Sequence, residues 1–260
     1  MAKNRILAFF LIILLLALLA YFYPQIQQKL NLTGNSVQNV EKEPAILLRV
    51  IDGDTVVVTG DKIGNETHIR MLGINTPEKK MPFSEEAADF LKQFINQTIL
   101  LEKDKEDIDK YDRKLRYIYA ENGSRFLDQE ILELGLANAY YTSGLIYEKQ
   151  LLNAESQARN LQAGIWTKSN ETCAVNGCII LEELNYTEEF FILKNNCKYT
   201  CLSEGWFVKD AGRNTFKLGN FDAGEEKNYP SKNNSNIWNN DGDRFFMFDK
   251  SGFLVYFYEY

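Results

Sequence analysis

The sequence predicts a mainly β chain with helices: a small closed barrel capped by helices, followed by a β-sandwich. Three observations carry this. Short β-branched and aromatic runs recur between Gly, Asn and Asp turns along residues 45–120 and again along 179–258. Between them lie stretches with apolar residues at helical spacing. The chain has 260 residues, 45% hydrophobic and 25% charged, which suits one or two ordinary globular domains. With 5 Pro and 16 Gly, collagen-like and low-complexity readings are excluded.

The first element is an unbroken apolar run of 18 residues, Ile6 to Tyr23, behind Lys3 and Arg5. As a helix it spans about 27 Å, enough to cross a thin hydrocarbon core. It has no polar face, which argues against a core helix of a soluble domain. Positive charge on the short N-terminal side places that end in the cytoplasm and residues 25–260 outside. Leu18-Leu19-Ala20-Tyr21 is not a small-x-small cleavage site, so residues 1–24 read as an uncleaved signal anchor; cleavage would make the protein secreted. Residues 25–44 read as a polar linker. Seven N-x-S/T sequons, at Asn31, Asn65, Asn96, Asn122, Asn170, Asn185 and Asn233, agree with an extracytoplasmic location.

Structured pattern starts at residue 45. Ile46–Ile51 and Thr55–Thr59 read as strands around the turn Asp52-Gly53-Asp54, and Glu66–Leu72 follows a second hairpin turn. Ser84 reads as the cap of a helix carrying Ala87, Phe90, Leu91, Phe94 and Ile95 on one face. Thr98–Glu102 and Leu115–Ala120 are two more strands, with Asn122-Gly123 as a turn. Leu127–Leu134 is a short helix ended by Gly135. Tyr147, Leu151, Ala154, Ala158 and Leu161 mark a last amphipathic helix, stopped by Gly164. Five strands with interspersed helices make a small closed barrel with caps.

Charge and composition narrow the chemistry. The only histidine is His68, so His-cluster zinc sites and any catalytic relay with a second His are excluded. A general base is expected to be a carboxylate, Lys or Tyr. Net charge is −7, with 16 basic and 20 acidic residues in 45–168 and 9 and 14 in 169–260. A polyanion would therefore be gripped by a local site rather than by the whole surface.

The local motifs are more specific. Ile51-Asp52-Gly53-Asp54-Thr55 sets two carboxylates on one tight turn. Ile69-Arg70-Met71-Leu72-Gly73-Ile74-Asn75-Thr76-Pro77-Glu78 follows, then Asp109-Lys110-Tyr111-Asp112-Arg113-Lys114-Leu115. With Leu134-Gly135-Leu136-Ala137, Ala154-Glu155-Ser156-Gln157-Ala158 and Gly164-Ile165-Trp166, residues 45–168 resemble the staphylococcal (micrococcal) nuclease family. The resemblance implies an OB-fold five-strand barrel with three helices that hydrolyses DNA and RNA phosphodiesters with calcium (Ca2+). It implies metal ligation by Asp54, Asn75 and the carbonyl of Thr76, catalysis by Glu78 as general base with Arg70 and Arg113 on the phosphate, and base stacking by Tyr141. Asp52 reads as a turn residue.

The chemistry stands on its own terms. A hard cation held by oxygen ligands neutralises a phosphodiester, two arginines can hold its oxygens, and a carboxylate can order the attacking water. Asn75 departs from the aspartate common in the family and removes one negative charge. Calcium affinity is expected to fall toward ~10⁻⁴–10⁻³ M, and Asn75→Asp to strengthen it.

Residues 169–260 form the second domain. Ile179–Leu184, Glu189–Leu193, Trp206–Lys209, Thr215–Leu218, Arg244–Phe248 and Leu254–Tyr258 have sandwich-like spacing. Phe190–Asn195, Leu202–Trp206 and Ile237–Asp243 resemble a lamin-tail domain, which implies an immunoglobulin-like β-sandwich that binds or tethers; its ligand is unknown. Asp241, Asp243 and Asp249 read as solvated turn residues before calcium ligands. Cys173, Cys178, Cys197 and Cys201 all lie here, and an even count outside the cytoplasm reads as two disulfides. Local pairs 173–178 and 197–201 are the first expectation, with a zinc site as the rival. The function expected is a membrane-anchored, monomeric nuclease acting outside the cytoplasm. The alternative is a surface binding protein with a decayed nuclease fold.

Overall fold

Five strands close into a barrel in the computed structural model, which describes residues 42–140, 143–231 and 236–260. The Ile6–Tyr23 run and Tyr141 lie outside the described residues. Among those described, no helix is long and apolar enough to cross a membrane.

β1 (Glu43–Asp52), β2 (Thr55–Gly60) and β3 (Gly64–Met71) form an antiparallel meander. Alternation sends Leu47, Val56, Val58, Ile69 and Met71 into the core. A two-residue strand, β4 (Ile74–Asn75), and α1 (Ser84–Lys92) precede β5 (Thr98–Glu102), which pairs with β1. β6 (Lys114–Ala120) pairs with β5 and closes the barrel by running parallel to β3, with Arg70 opposite Leu115. β7 (Arg125–Phe126) extends the β6 edge. α2 (Leu127–Glu133), β8 (Asn138–Ala139) and α3 (Glu148–Leu161) complete the barrel region, and β8 pairs with β4. The three helices and five barrel strands are those the pattern predicts.

Ser84 does not cap α1. It is the first helical residue, and Phe83 before it is left-handed at φ 67°. The Phe83 ring packs 6.2 Å from Phe253 of the C-terminal region, so a tertiary contact sets this entry. Glycine is required where α2 and α3 end together. A Cβ on Gly135 would lie 2.1 Å from the Ala163 carbonyl, and one on Gly164 2.1 Å from the Gly135 carbonyl.

After a single helical turn, α4 (Thr172–Val175), seven strands form a two-sheet sandwich. They are β9 (Ile179–Asn185), β10 (Phe190–Asn195), β11 (Phe207–Lys209), β12 (Thr215–Lys217), β13 (Glu226–Pro230), β14 (Arg244–Phe248) and β15 (Leu254–Glu259). One sheet runs β13-β10-β9 and the other β12-β11-β14-β15. Phe191 and Leu193 from the first share a core with Val208, Phe245 and Met247 from the second, around Trp206 and Trp238. β13 escapes the sequence pattern because it is a polar edge strand ending in Pro, paired only with β10.

Barrel and sandwich share a third cluster. Ala158, Ile165 and Trp166 pack against Phe207, Phe246, Phe248 and Leu254. A buried ion pair lies beside it: Arg244 NH1 stands 2.7 Å from Glu155 Oε1. The same oxygen accepts the Ala139 N–H, and Arg244 NH1 also donates to the Ala139 carbonyl at 3.0 Å. Lys42–Tyr260 accordingly cluster as one compact unit.

The disulfides join Cys173 to Cys201 and Cys178 to Cys197, not the local pairs. The ladder decides this. β9 and β10 place Ile179 opposite Asn195, and the Asn196 N–H donates to the Cys178 carbonyl at 2.8 Å, which brings Cys178 against Cys197. Cys201 is fixed by a bridge to Phe221, leaving Cys173 within 5.8 Å of it between Cα atoms. Asp243 and Asp249 are buried rather than solvated. Asp243 accepts the N–H groups of Ala211, Asn239 and Arg244, and Asp249 those of Ser251 and Phe253.

Non-reducing peptide mapping is expected to recover 173–201 and 178–197 bridges and no 173–178 bridge. Replacing Arg244 by Met leaves Glu155 buried without its cation. It should destabilise the fold by about 3–5 kcal/mol in a denaturant titration; a loss within ~0.5 kcal/mol would show that the pair does not hold the two regions together.

Candidate active site

The β1–β2 turn is the starting point. The Asp54 N–H donates to Asp52 Oδ1 at 3.2 Å, so Asp52 builds the turn. Gly53 is needed there because a Cβ would lie 2.5 Å from Ala87 Cβ and 2.8 Å from Thr76 Oγ1. This close approach brings the segment after β4 onto the turn. Asp54, 3% exposed, becomes the hub. Its Oδ2 accepts the Thr76 N–H at 3.0 Å and the Thr76 hydroxyl at 3.1 Å, and Arg70 NH1 stands 3.1 Å away. Its Oδ1 accepts the Thr55 hydroxyl at 3.0 Å. Burial, then the neighbouring Asp54 charge, pushes the Asp52 carboxyl above its ordinary range.

Both predicted arginines flank this hub, but neither presents a free fork. Arg70 is buried. Its NH1 also donates to the Met71 carbonyl at 3.1 Å, and NH2 donates to the Ile74 carbonyl at 2.8 Å and to Asn75 Oδ1 at 3.3 Å. Arg113 reaches the hub through Thr55, donating from NH1 to its hydroxyl at 3.2 Å. Its Nε and NH2 both meet Asp109 Oδ2, at 2.8 and 2.7 Å. Asp109 Oδ1 accepts the N–H groups of Tyr111 and Arg113 and so folds the loop that aims Arg113. Burial opposes the Asp109 charge, yet those hydrogen bonds and the Arg113 guanidinium hold its carboxyl below the usual range.

Asn75 has both ends of its amide engaged. The oxygen faces Arg70, and the nitrogen donates to the carbonyls of Ala211 at 3.2 Å and Gly212 at 3.0 Å, in the β11–β12 hairpin of the sandwich. Asn138, opposite Asn75 in the β4–β8 pair, donates to the same Ala211 carbonyl at 3.1 Å. Lys209 Nζ donates to Asn138 Oδ1 at 3.2 Å. Burial pushes that ammonium down to about 8, against the pull of Asp210, Asp243 and Glu78. Glu78, half-exposed, pairs with Arg213 of the hairpin, Nε to Oε1 at 2.9 Å.

The structure therefore brings Asp54, Arg70, Asn75, Thr76 and Arg113 into one bonded network, with Glu78 on the segment just beyond Thr76. Tyr141 lies outside the described residues. His68 is an exposed residue of β3. Sequence reasoning gave no role to Thr55, Asp109, Asn138 or Arg213. The Asp109–Arg113 spacing was legible as an i,i+4 pair, whereas Arg213 lies 135 positions beyond Glu78 with no local signal.

Residues 68–168 match the family described as Staphylococcal nuclease homologue. The chain is 34% identical over 139 residues to the thermonuclease of Staphylococcus hyicus, covering 50% of this chain and 80% of that one. It is 33% identical over 141 residues to the thermonuclease of Staphylococcus intermedius, covering 51% and 82%. Protein ParB of Escherichia coli is 30% identical over 128 residues, covering 46% and 71%. Identity over most of the length of these relatives, on a barrel that carries the acidic turn and both arginines, places the chain in the staphylococcal nuclease family.

Proposed function

We propose that this protein is a metal-dependent nuclease that hydrolyses phosphodiester bonds of DNA or RNA outside the cytoplasm, tethered by Ile6–Tyr23. The observation that carries the reading is the Asp54 hub, which joins Thr76, Arg70 and, through Thr55, Arg113, with Glu78 two residues beyond Thr76. Relatives named thermonuclease support it.

The acidic turn suits a hard divalent cation. Two carboxylates stand on one turn, and Asp52 is pushed up partly by the charge of Asp54, a repulsion that a cation would relieve. Asp54 and the Thr76 carbonyl are the residues that would hold it. Asn75 can add only its side-chain oxygen, which faces Arg70 at 3.3 Å, because its nitrogen is committed to the hairpin carbonyls. Calcium is the ion we assign, and when bound it would neutralise charge on the phosphate.

The residues of the chain divide the remaining work. Glu78, half-exposed, can take a proton from a water at its carboxylate. Arg113, aimed by Asp109, is the arginine of the pair that can exchange a protein contact for a phosphate oxygen. Arg70 neutralises buried Asp54 and satisfies two backbone carbonyls, so its first duty is to hold the site's shape.

Hydrolysis of single-stranded DNA should require calcium and stop with chelator. Glu78→Gln is expected to lower kcat at least ~10²-fold with an unchanged denaturation midpoint, and Arg113→Ala to lower it comparably. Arg70→Ala should differ, losing about 3–5 kcal/mol of stability because Asp54 is left buried and unpaired. Full activity in folded Glu78→Gln would remove its assignment as base. Topology is tested separately by protease treatment of intact cells: residues 45–260 should be digested without lysis, and protection until lysis would defeat the outward orientation.

A further inference from the structure

Arg213 is the arginine at this site with open donors. It is half-exposed, and only its Nε is engaged, by Glu78. Among the described residues its NH1 and NH2 make no hydrogen bond or ion pair, whereas every terminal guanidinium nitrogen of Arg70 and Arg113 has a protein partner. Arg213 belongs to the sandwich, yet its placement is not loose.

The hairpin tip that carries it is built to dock. Asp210 accepts the Asn214 N–H at 3.0 Å and the Asn214 side-chain amide at 2.6 Å, which closes the tip. The Ala211 N–H donates to Asp243 at 3.2 Å, tying the tip to β14. On the barrel side, Asn75 and Asn138 grip the carbonyls of Ala211 and Gly212. An aspartate at 75 could not make these bonds. It would set a carboxylate against two carbonyl oxygens, taking the side-chain donor from Gly212 and leaving Ala211 with Asn138 alone. The asparagine that departs from the family pattern is thus explained by docking.

We propose that the β11–β12 hairpin forms the second wall of the active site and that Arg213 is a substrate-binding residue. Its Nε holds the Glu78 carboxylate while NH1 and NH2 take a non-bridging oxygen of the phosphodiester. A guanidinium presents parallel donors in a fixed fork, so one arginine can do both. Asn75 is the positioning residue that sets the hairpin against the barrel. The inference rests on the nuclease reading above.

The test uses the full chain. Binding of a short single-stranded oligonucleotide is measured across salt concentrations in the Glu78→Gln background, with and without Arg213→Ala. Loss of one phosphate contact should flatten the slope of log K against log salt by about 0.7, which a merely structural role would not move. Hydrolysis by Arg213→Ala should show KM raised and kcat lowered, each by ~10-fold, with Arg213→Lys in between. Asn75→Asp should speed amide hydrogen exchange at residues 211–214 by at least ~10-fold and reproduce the Arg213→Ala kinetics, with the double variant no worse than either. An unchanged salt slope, or native kinetics in Arg213→Ala, would overturn the proposal. A rise in kcat would overturn it too, because the hairpin would then be a mask over Glu78. If the native chain neither binds nor cleaves nucleic acid, the nuclease reading fails and takes this inference with it. Cleavage that is insensitive to Arg213 removes this inference alone.

Discussion

The active region depends on one buried charge, the carboxylate of Asp54. A carboxylate almost without exposure must find partners for both oxygens, or the fold loses several kcal/mol. Here the partners come from three places in the chain: Thr55 beside it, Arg70 on β3, and Thr76 after β4. Satisfying Asp54 therefore fixes the segment that carries Glu78 relative to the barrel. Gly53 permits the approach, since a methyl group there would collide with Ala87 and Thr76. Arg70 is in turn held by the Met71 and Ile74 carbonyls, which ties the network to the backbone.

The second organising feature is the seam between barrel and sandwich. Its apolar part is Trp166 with Phe246 and Phe257, ring centroids 5.6 and 5.3 Å apart. Its polar part is the Arg244–Glu155 pair and the two asparagines of the β4–β8 ribbon. Burial pushes the Glu155 carboxyl up, and Arg244 together with the Ala139 N–H opposes this. Buried polar contacts of this kind give little net stability over apolar packing but specify one geometry. That geometry brings the hairpin to Glu78. A sandwich tethered by a free linker could not do so.

The cysteines act on the sandwich alone. Both bridges staple the segment before β9 to the loop after β10, where α4 offers only a single helical turn and little core. Closing such loops restricts the unfolded chain and stabilises a region with few apolar anchors of its own. The barrel, with its large buried cluster, has no cysteine in it.

Much of this was determined by the sequence itself. Strands from Ile46 to Ala120 and the three helices follow from alternation and helical spacing, because each element buries one face of a local pattern. Asp54, Arg70, Thr76 and Glu78 were legible through the resemblance to the nuclease family, carried by motifs that lie within 25 residues of one another. What tertiary structure decided was pairing at a distance. The disulfide connectivity followed the β9–β10 register, which no spacing of Cys173, Cys178, Cys197 and Cys201 encodes. β13 stayed hidden because an edge strand needs no apolar alternation. The resemblance assigned Asn75 only as a weakened metal ligand. Its donor contacts to Ala211 and Gly212, within 3.2 Å, were decided by the fold, since a hydrogen-bond donor is defined by the acceptor that the fold brings to it.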